Sequence, residues 1–170
     1  MSDGITFNSL QEANKFKKEK SEQGINVLIV KDGNKFKAIF DQTCYRGCVP
    51  GQEDASLGKW YSTDEGEADL YRKFKEQKTG KTGQGKVITE RIKLDKPFIV
   101  TDKENPDSPY DSFLTVSDKI PKLKELVKRD TSLEKEDGEF IVEGEKLITD
   151  YAKEHGYDGV IFYGKNVVKF

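Results

Sequence analysis

The sequence predicts an α+β fold, and three observations carry that expectation. Apolar residues recur at helical spacing in several separated stretches. Short runs rich in Val, Ile, Phe and Tyr lie between them. Some of those runs are joined by tight turn signals, which pair neighbouring strands antiparallel. No internal repeat and no heptad run is present, so solenoids and coiled coils are excluded.

Taken in order, Ile5-Thr6-Phe7 reads as a short strand and Asn8 or Ser9 as a helix cap. Leu10, Ala13 and Phe16 fall on one side of a helix from Ser9 to Gln23, closed by Gly24. Ile25 to Val30 is β-branched and reads as a strand. Asp32-Gly33 turns it into the alternating run Lys35 to Phe40. Residues 1–40 therefore form a strand, helix and hairpin, an elaboration packed on a main domain of residues 41–170. Val49 to Leu57 reads as a loop with Pro50-Gly51 as its turn, and Lys59 to Ser62 as a strand.

A helix follows from Thr63 or Asp64, with Ala68, Leu70, Tyr71 and Phe74 as its apolar face. Thr79 to Lys86, rich in Gly and Lys, reads as a mobile loop, and Val87 to Leu94 as a half-buried strand. Pro97 breaks that strand before Phe98-Ile99-Val100, and Asp102 to Tyr110, with two prolines, reads as a loop. Helices are expected from Ile120 to Arg129 and from Phe140 to Glu154, the second with Leu147, Ile148, Tyr151 and Ala152 inward. The charged stretch Thr131 to Gly138 connects them. Gly159 to Tyr163 reads as a buried strand, and Gly164-Lys165-Asn166 turns it into Val167 to Phe170.

The totals bound the function. Hydrophobic residues make up 34% and charged ones 35% of the 170 residues, so the core is economical and the surface dense in charge. The 10 Phe, 7 Tyr and 1 Trp supply enough apolar area to exclude a wholly disordered chain. A net charge of −2 gives no global attraction to nucleic acid or anionic lipid, leaving a nucleic-acid partner weakly supported. No apolar run is long enough to span a bilayer, and no secretory pattern follows Met1. Cys44 and Cys48, with His155 the one histidine, do not complete a zinc site, so no metal is expected and the thiols read as structural. The expected location is the cytoplasm.

Candidate chemistry centres on Cys44-Tyr45-Arg46-Gly47 and Gly58-Lys59-Trp60-Tyr61-Ser62-Thr63. The arginine can clamp an anion with a planar fork of donors. The glycine lets a ligand approach the backbone, the hydroxyls can bond a ribose or amide, and the rings offer stacking faces. The plain alternative is a surface Arg beside a turn.

Three other features read as structural. Gly80-Lys81-Thr82-Gly83-Gln84-Gly85-Lys86 has phosphate-loop spacing, but a helix precedes it, a strand follows and Val87 stands where Ser or Thr is needed. His155, before Gly156, compensates a helix C-terminus. The acids Glu134, Glu136, Asp137, Glu139, Glu143 and Glu145 lack calcium-loop spacing and read as a solvated face.

In order and spacing, Tyr45-Arg46-Gly47, Trp60 to Thr63, Ala68-x-x-Tyr71, Gly156-Tyr157-Asp158-Gly159-Val160-Ile161 and Asn166 to Phe170 resemble ADP-ribosyltransferases, nearest to the small ones of phages and mobile elements. The resemblance spans roughly residues 43–170. It implies a split, mainly antiparallel β-sandwich with flanking helices that grips NAD, used as substrate, in a central cleft. It implies that Arg46 and Gly47 anchor the cofactor, that Tyr61, Ser62 and Thr63 support the nicotinamide ribose, and that Tyr71 walls the ring.

The sequence departs from the family at the glutamate of the last motif strand, where Gly164 and Asn166 stand. The catalytic positions carried over are then Ser62 and Asn166. An amide can orient a ribose hydroxyl but cannot offset a forming cation. A weak transferase, one recruiting another acid such as Asp158 or Glu90, and a fold without the reaction all remain open, although Asp158 is also explained as a turn residue. The expected function is NAD-dependent mono-ADP-ribosylation of an intracellular host macromolecule, foremost a protein, as a phage or mobile-element effector. The alternative is a non-catalytic protein-binding inhibitor of anti-defence type on the same fold.

Overall fold

A computed structural model describes residues 4–50, 59–129 and 138–170. It is α+β, with eight strands in one mostly antiparallel sheet and helices on its flanks. The expected loop at Val49 to Leu57 lies largely outside the described residues, as do the connector Thr131 to Asp137 and the acids within it.

One long strand organises the sheet. β3 (Lys35–Cys48) pairs on one edge with β1 (Ile5–Phe7) and then β5 (Lys86–Leu94), and on the other with β2 (Val27–Asp32) and then β4 (Lys59–Ser62). The two edges are fixed by register: Phe40 faces Val27 on one side and Leu94 on the other. β3 runs unbroken through residue 40, so β1 and β2 share the sheet of the rest of the chain.

Beyond β4 the sheet continues through β8 (Asn166–Lys169) and β7 (Gly159–Phe162) to β6 (Pro97–Val100). Among the described residues, the register joining β3 to β4 consists of Tyr45 opposite Ser62 alone. Two half-sheets thus meet at one residue pair. The β6–β7 pairing is parallel, which the hairpin signals in the sequence did not announce, because the crossover is made by the helices between them.

Strand alternation builds two cores. Ile161 and Val167 point into the curl of the sheet with Phe40, Cys44, Ile92 and Leu94. Val160, Phe162 and Val168 point the other way, onto the helices, against Phe113, Leu123 and Ile148. The Val168 carbonyl, with the end of Leu94 beside it, fills the space that a Cβ on Gly159 would need, so a glycine is required there. Buried Cys44 has its thiol pushed up to about 12 by desolvation, an inert proton form at neutral pH. Neither cysteine is in a disulfide.

The helices form where their caps predict. α1 (Leu10–Glu22) starts at Ser9, whose Oγ accepts from Glu12 N. α2 (Glu65–Thr79) starts at Asp64, which accepts from Gly66 N, and ends at left-handed Gly80. α3 (Pro109–Leu114) falls partly on the stretch read as a loop. Its prolines read as breakers, but Pro109 occupies the first turn, where no N–H is needed, behind the N-cap Ser108. α4 (Pro121–Arg129) and α5 (Gly138–Glu154) match their patterns.

The expected apolar face of α2 needs correction. Ala68 is buried, but Leu70 and Phe74 are 66% and 62% exposed. The helix instead lays Ala68, Arg72 and Lys75 on β3, where a Cβ on Gly47 would collide with Ala68 O and Arg72 N. Lys75 Nζ also donates to Gly47 O at 2.8 Å. Close backbone packing set the helix rotation, against the hydrophobic pattern.

Candidate functional site

The join between the half-sheets is also where the sequence motifs meet. Across the strands, Thr89, Tyr45, Ser62, Asn166 and Phe162 form one register row. A cavity of about 340 Å³ opens beside it. Its strand walls are Tyr45, Arg46 and Gly47 of β3 and Trp60, Tyr61 and Ser62 of β4. Ala68, Tyr71 and Lys75 of α2 form a second wall, and Val142 and Glu145 of α5 a third. The size is that of a small-molecule site, mostly apolar with a few polar groups.

Arg46, Gly47, Tyr61, Ser62 and Tyr71 line this one cavity, with different local roles. Gly47 is a glycine for α2 rather than for a ligand, since the helix backbone takes the Cβ space. Tyr61 is 1% exposed and donates its hydroxyl to Glu90 Oε2 at 2.6 Å, so it builds the wall rather than reaching into the opening. Ser62 Oγ accepts from Asp64 N at 3.1 Å, which leaves its own proton to donate. Tyr71 stands half-exposed at the wall, and Trp60 stacks on Phe162 behind it at 5.6 Å.

Thr63 and Asn166 are not in the cavity wall. Thr63 N donates to Lys165 O, fastening α2's entry to the β7–β8 turn. Buried Asn166 lies opposite Ser62, and its Nδ2 donates to Glu67 Oε1 at 2.9 Å. Its amide thus holds the first turn of α2, with Lys165 Nζ 3.5 Å from the other Glu67 oxygen. That is a positioning arrangement.

The alternative acids have structural partners. Asp158 Oδ2 and Oδ1 accept from Asp95 N at 2.7 Å and Lys96 N at 2.9 Å, which fixes the β5–β6 corner. Asp158→Ala is expected to cost about 1–3 kcal/mol by leaving two amides without their acceptor. A lowered urea midpoint with an unaltered ligand site would show this. Glu90 is held by Tyr61 and lies outside the cavity wall.

The glycine-rich loop is tied back onto α2. Gly83 N and Gly85 N donate to the Glu76 carboxylate, which also pairs with Arg72 at 2.7 Å. These bonds, Gly83's foremost, hold the Glu76 carboxyl below its usual range. The loop's amides are occupied by the protein's own anion. His155 Nδ1 lies 2.9 Å from Tyr151 O at the end of α5, away from the cavity. No cluster of metal-ligating side chains occurs among the described residues. No helix among them is long and apolar enough to cross a membrane.

One site residue escaped the sequence reading. Glu145, grouped with the solvated acids, lines the cavity and accepts from Tyr163 Oη at 2.7 Å. Burial pushes its carboxyl up to about 7, a shift that the Tyr163 bond only partly offsets. Burial and then the charges of Glu67 and Glu145 raise Tyr71. The signal was spacing: Glu145 falls with Ile141, Ile148 and Ala152 on the inward stripe of α5.

Comparison with protein-family models, curated proteins and solved structures finds no match.

Proposed function

We propose that this cleft binds NAD and that the protein transfers ADP-ribose from it to an intracellular protein, as a phage or mobile-element effector. The observation that supports this best is convergence. Arg46, Ser62 and Tyr71, separated in the chain, border one cavity where two half-sheets meet at a single residue pair. The same join would be the split of an ADP-ribosyltransferase-like sandwich.

In this reading Arg46 takes the diphosphate with its planar fork, and Lys75 adds a second positive charge on the facing helix. Ser62, its oxygen engaged by Asp64 N, donates its proton to the nicotinamide ribose or carboxamide. Tyr71 walls the ring. The cavity seats the nicotinamide ribose and adjoining phosphates, and the adenosine lies along its mouth.

The bond from C1′ to the ring nitrogen breaks, and its electron pair leaves with nicotinamide, now neutral. An acceptor side chain attacks C1′ with a lone pair and loses its proton. Incubation with labelled NAD and a bacterial lysate is expected to label protein, and Arg46→Ala to abolish the label. Absence of both transfer and nicotinamide release contradicts the proposal.

A second reading has its own observation. Leu70 and Phe74 on α2 and Val142 on α5, all more than 60% exposed, lie on the helices that wall the cleft. A stoichiometric protein partner whose binding survives Arg46→Ala would favour a non-catalytic binder.

A further inference from the structure

We propose that Glu145, supplied by α5 from across the cleft, is the reacting carboxylate of the site, and that Tyr163 is its positioning residue. This rests on the NAD-cleft reading and adds to it the group that drives the reaction.

Geometry carries the assignment. Among the described residues, the cavity wall holds two cationic side chains, Arg46 and Lys75, and one carboxylate, Glu145. A ligand matched to that charge set is itself dipolar, anionic at one part and cationic at another. Oxidised nicotinamide dinucleotide has this character, with its diphosphate and its pyridinium ring. Glu145 lies near Tyr71, whose proton it helps retain, and so belongs to the ring end of the cleft.

The placement of Glu145 is built, and at a cost. Tyr163 adopts φ 58°, the only left-handed non-glycine among the described residues, in the tight β7–β8 turn closed by Lys165 N to Phe162 O. A bulky side chain rarely adopts that region. Such strain is typical of functional sites and is held by its surroundings. Here the held group is a buried phenol that donates to Glu145 at 2.7 Å. On the far side, Gly144 lets α5 approach the ring of fully buried Phe113, where any Cβ would collide. Turn and helix contact together fix the carboxylate at the wall.

The chemistry then balances within the site. As the C1′–nitrogen bond breaks and nicotinamide leaves with the electron pair, positive charge grows on the ribose. The Glu145 carboxylate offsets it. It then accepts the proton released by the attacking acceptor, or by water in hydrolysis to ADP-ribose, and passes it to solvent. The ionised form is the working one.

The groups facing Glu145 are Tyr163 from the β7–β8 turn and Tyr71 from α2, with Lys75 of α2 and Arg46 of β3 on the same cavity wall. Glu143 and Lys146 are its charged neighbours on α5 itself. With its carboxyl raised to about 7, the rate should rise through that pH. The Tyr163 bond lowers the carboxyl's pKa, so its loss moves the rise to higher pH.

The test measures NAD binding by calorimetry and nicotinamide release by chromatography across pH 5.5–9, roughly centred on that titration. The full chain is used, with bacterial lysate present as acceptor. Glu145→Gln is expected to bind NAD within about fivefold of wild type and to release nicotinamide at least a hundredfold more slowly. Tyr163→Phe, which keeps the buried ring, is expected to shift the acid limb upward by half a pH unit or more, following the loss of one hydrogen bond. It keeps the proposal testable should Glu145→Gln not fold.

Equal release by wild type and Glu145→Gln, or an acid limb unmoved in Tyr163→Phe, overturns the role of Glu145 and leaves the cleft reading intact. NAD bound by wild type without release also overturns it. No NAD binding by wild type overturns the cleft reading beneath it.

Discussion

Arg46→Ala is expected to weaken NAD binding about a hundredfold, read by calorimetry on the folded variant. Arg46 borders the cavity on β3, next to the Tyr45–Ser62 pair that joins the half-sheets, and its backbone is fixed by pairing with Ile88. A guanidinium on a diphosphate makes charge-assisted, bidentate bonds, and loss of such a group costs about 2–5 kcal/mol. Arg46→Lys keeps the charge and loses the fork, so partial recovery is expected. A thermal melt of each variant separates binding from folding. Affinity within about threefold of wild type in Arg46→Ala would show that the diphosphate does not lie there.

Glu145→Gln is expected to stabilise the protein, and only where the carboxyl would be charged. The fold raises this group from 4.5 to about 7 because burial disfavours its ionised form. Its contribution to stability is therefore fully present below about pH 4.5 and lost as pH rises through about 7. At about 1.4 kcal/mol per pH unit, the loss reaches roughly 3 kcal/mol. Gln keeps an oxygen for Tyr163 Oη and carries no charge.

Urea unfolding should thus find the two proteins equal near pH 4, and the variant more stable by about 2–3 kcal/mol at pH 8. That corresponds to several degrees of melting temperature for a domain of this size. Equal stability at pH 8 would contradict the buried placement.

Local signals in the sequence located most elements, because caps, turns and strand alternation act over a few residues. Ser9 and Asp64, each one of two caps the sequence offered, open their helices. What failed was decided over distance. The inward side of α2 followed the close approach of its backbone to Gly47, and Leu70 and Phe74 were left outside. The parallel β6–β7 pair depends on helices packing across the sheet. Arg46, Ser62 and Tyr71 were legible as a group, since each sits in a motif of its own. Asn166, read as part of the turn, is the first residue of β8, and its work is to hold Glu67. Glu145 was hidden among neighbouring acids, and only its place on the apolar stripe of α5 distinguished it.

NAD is expected at the join of the two half-sheets. A crystal structure of the protein with NAD would locate it, with the diphosphate on Arg46, the ring against Tyr71 and the ribose between Ser62 and Glu145. NAD bound elsewhere on the surface, or an empty cavity at saturating NAD, would contradict this expectation.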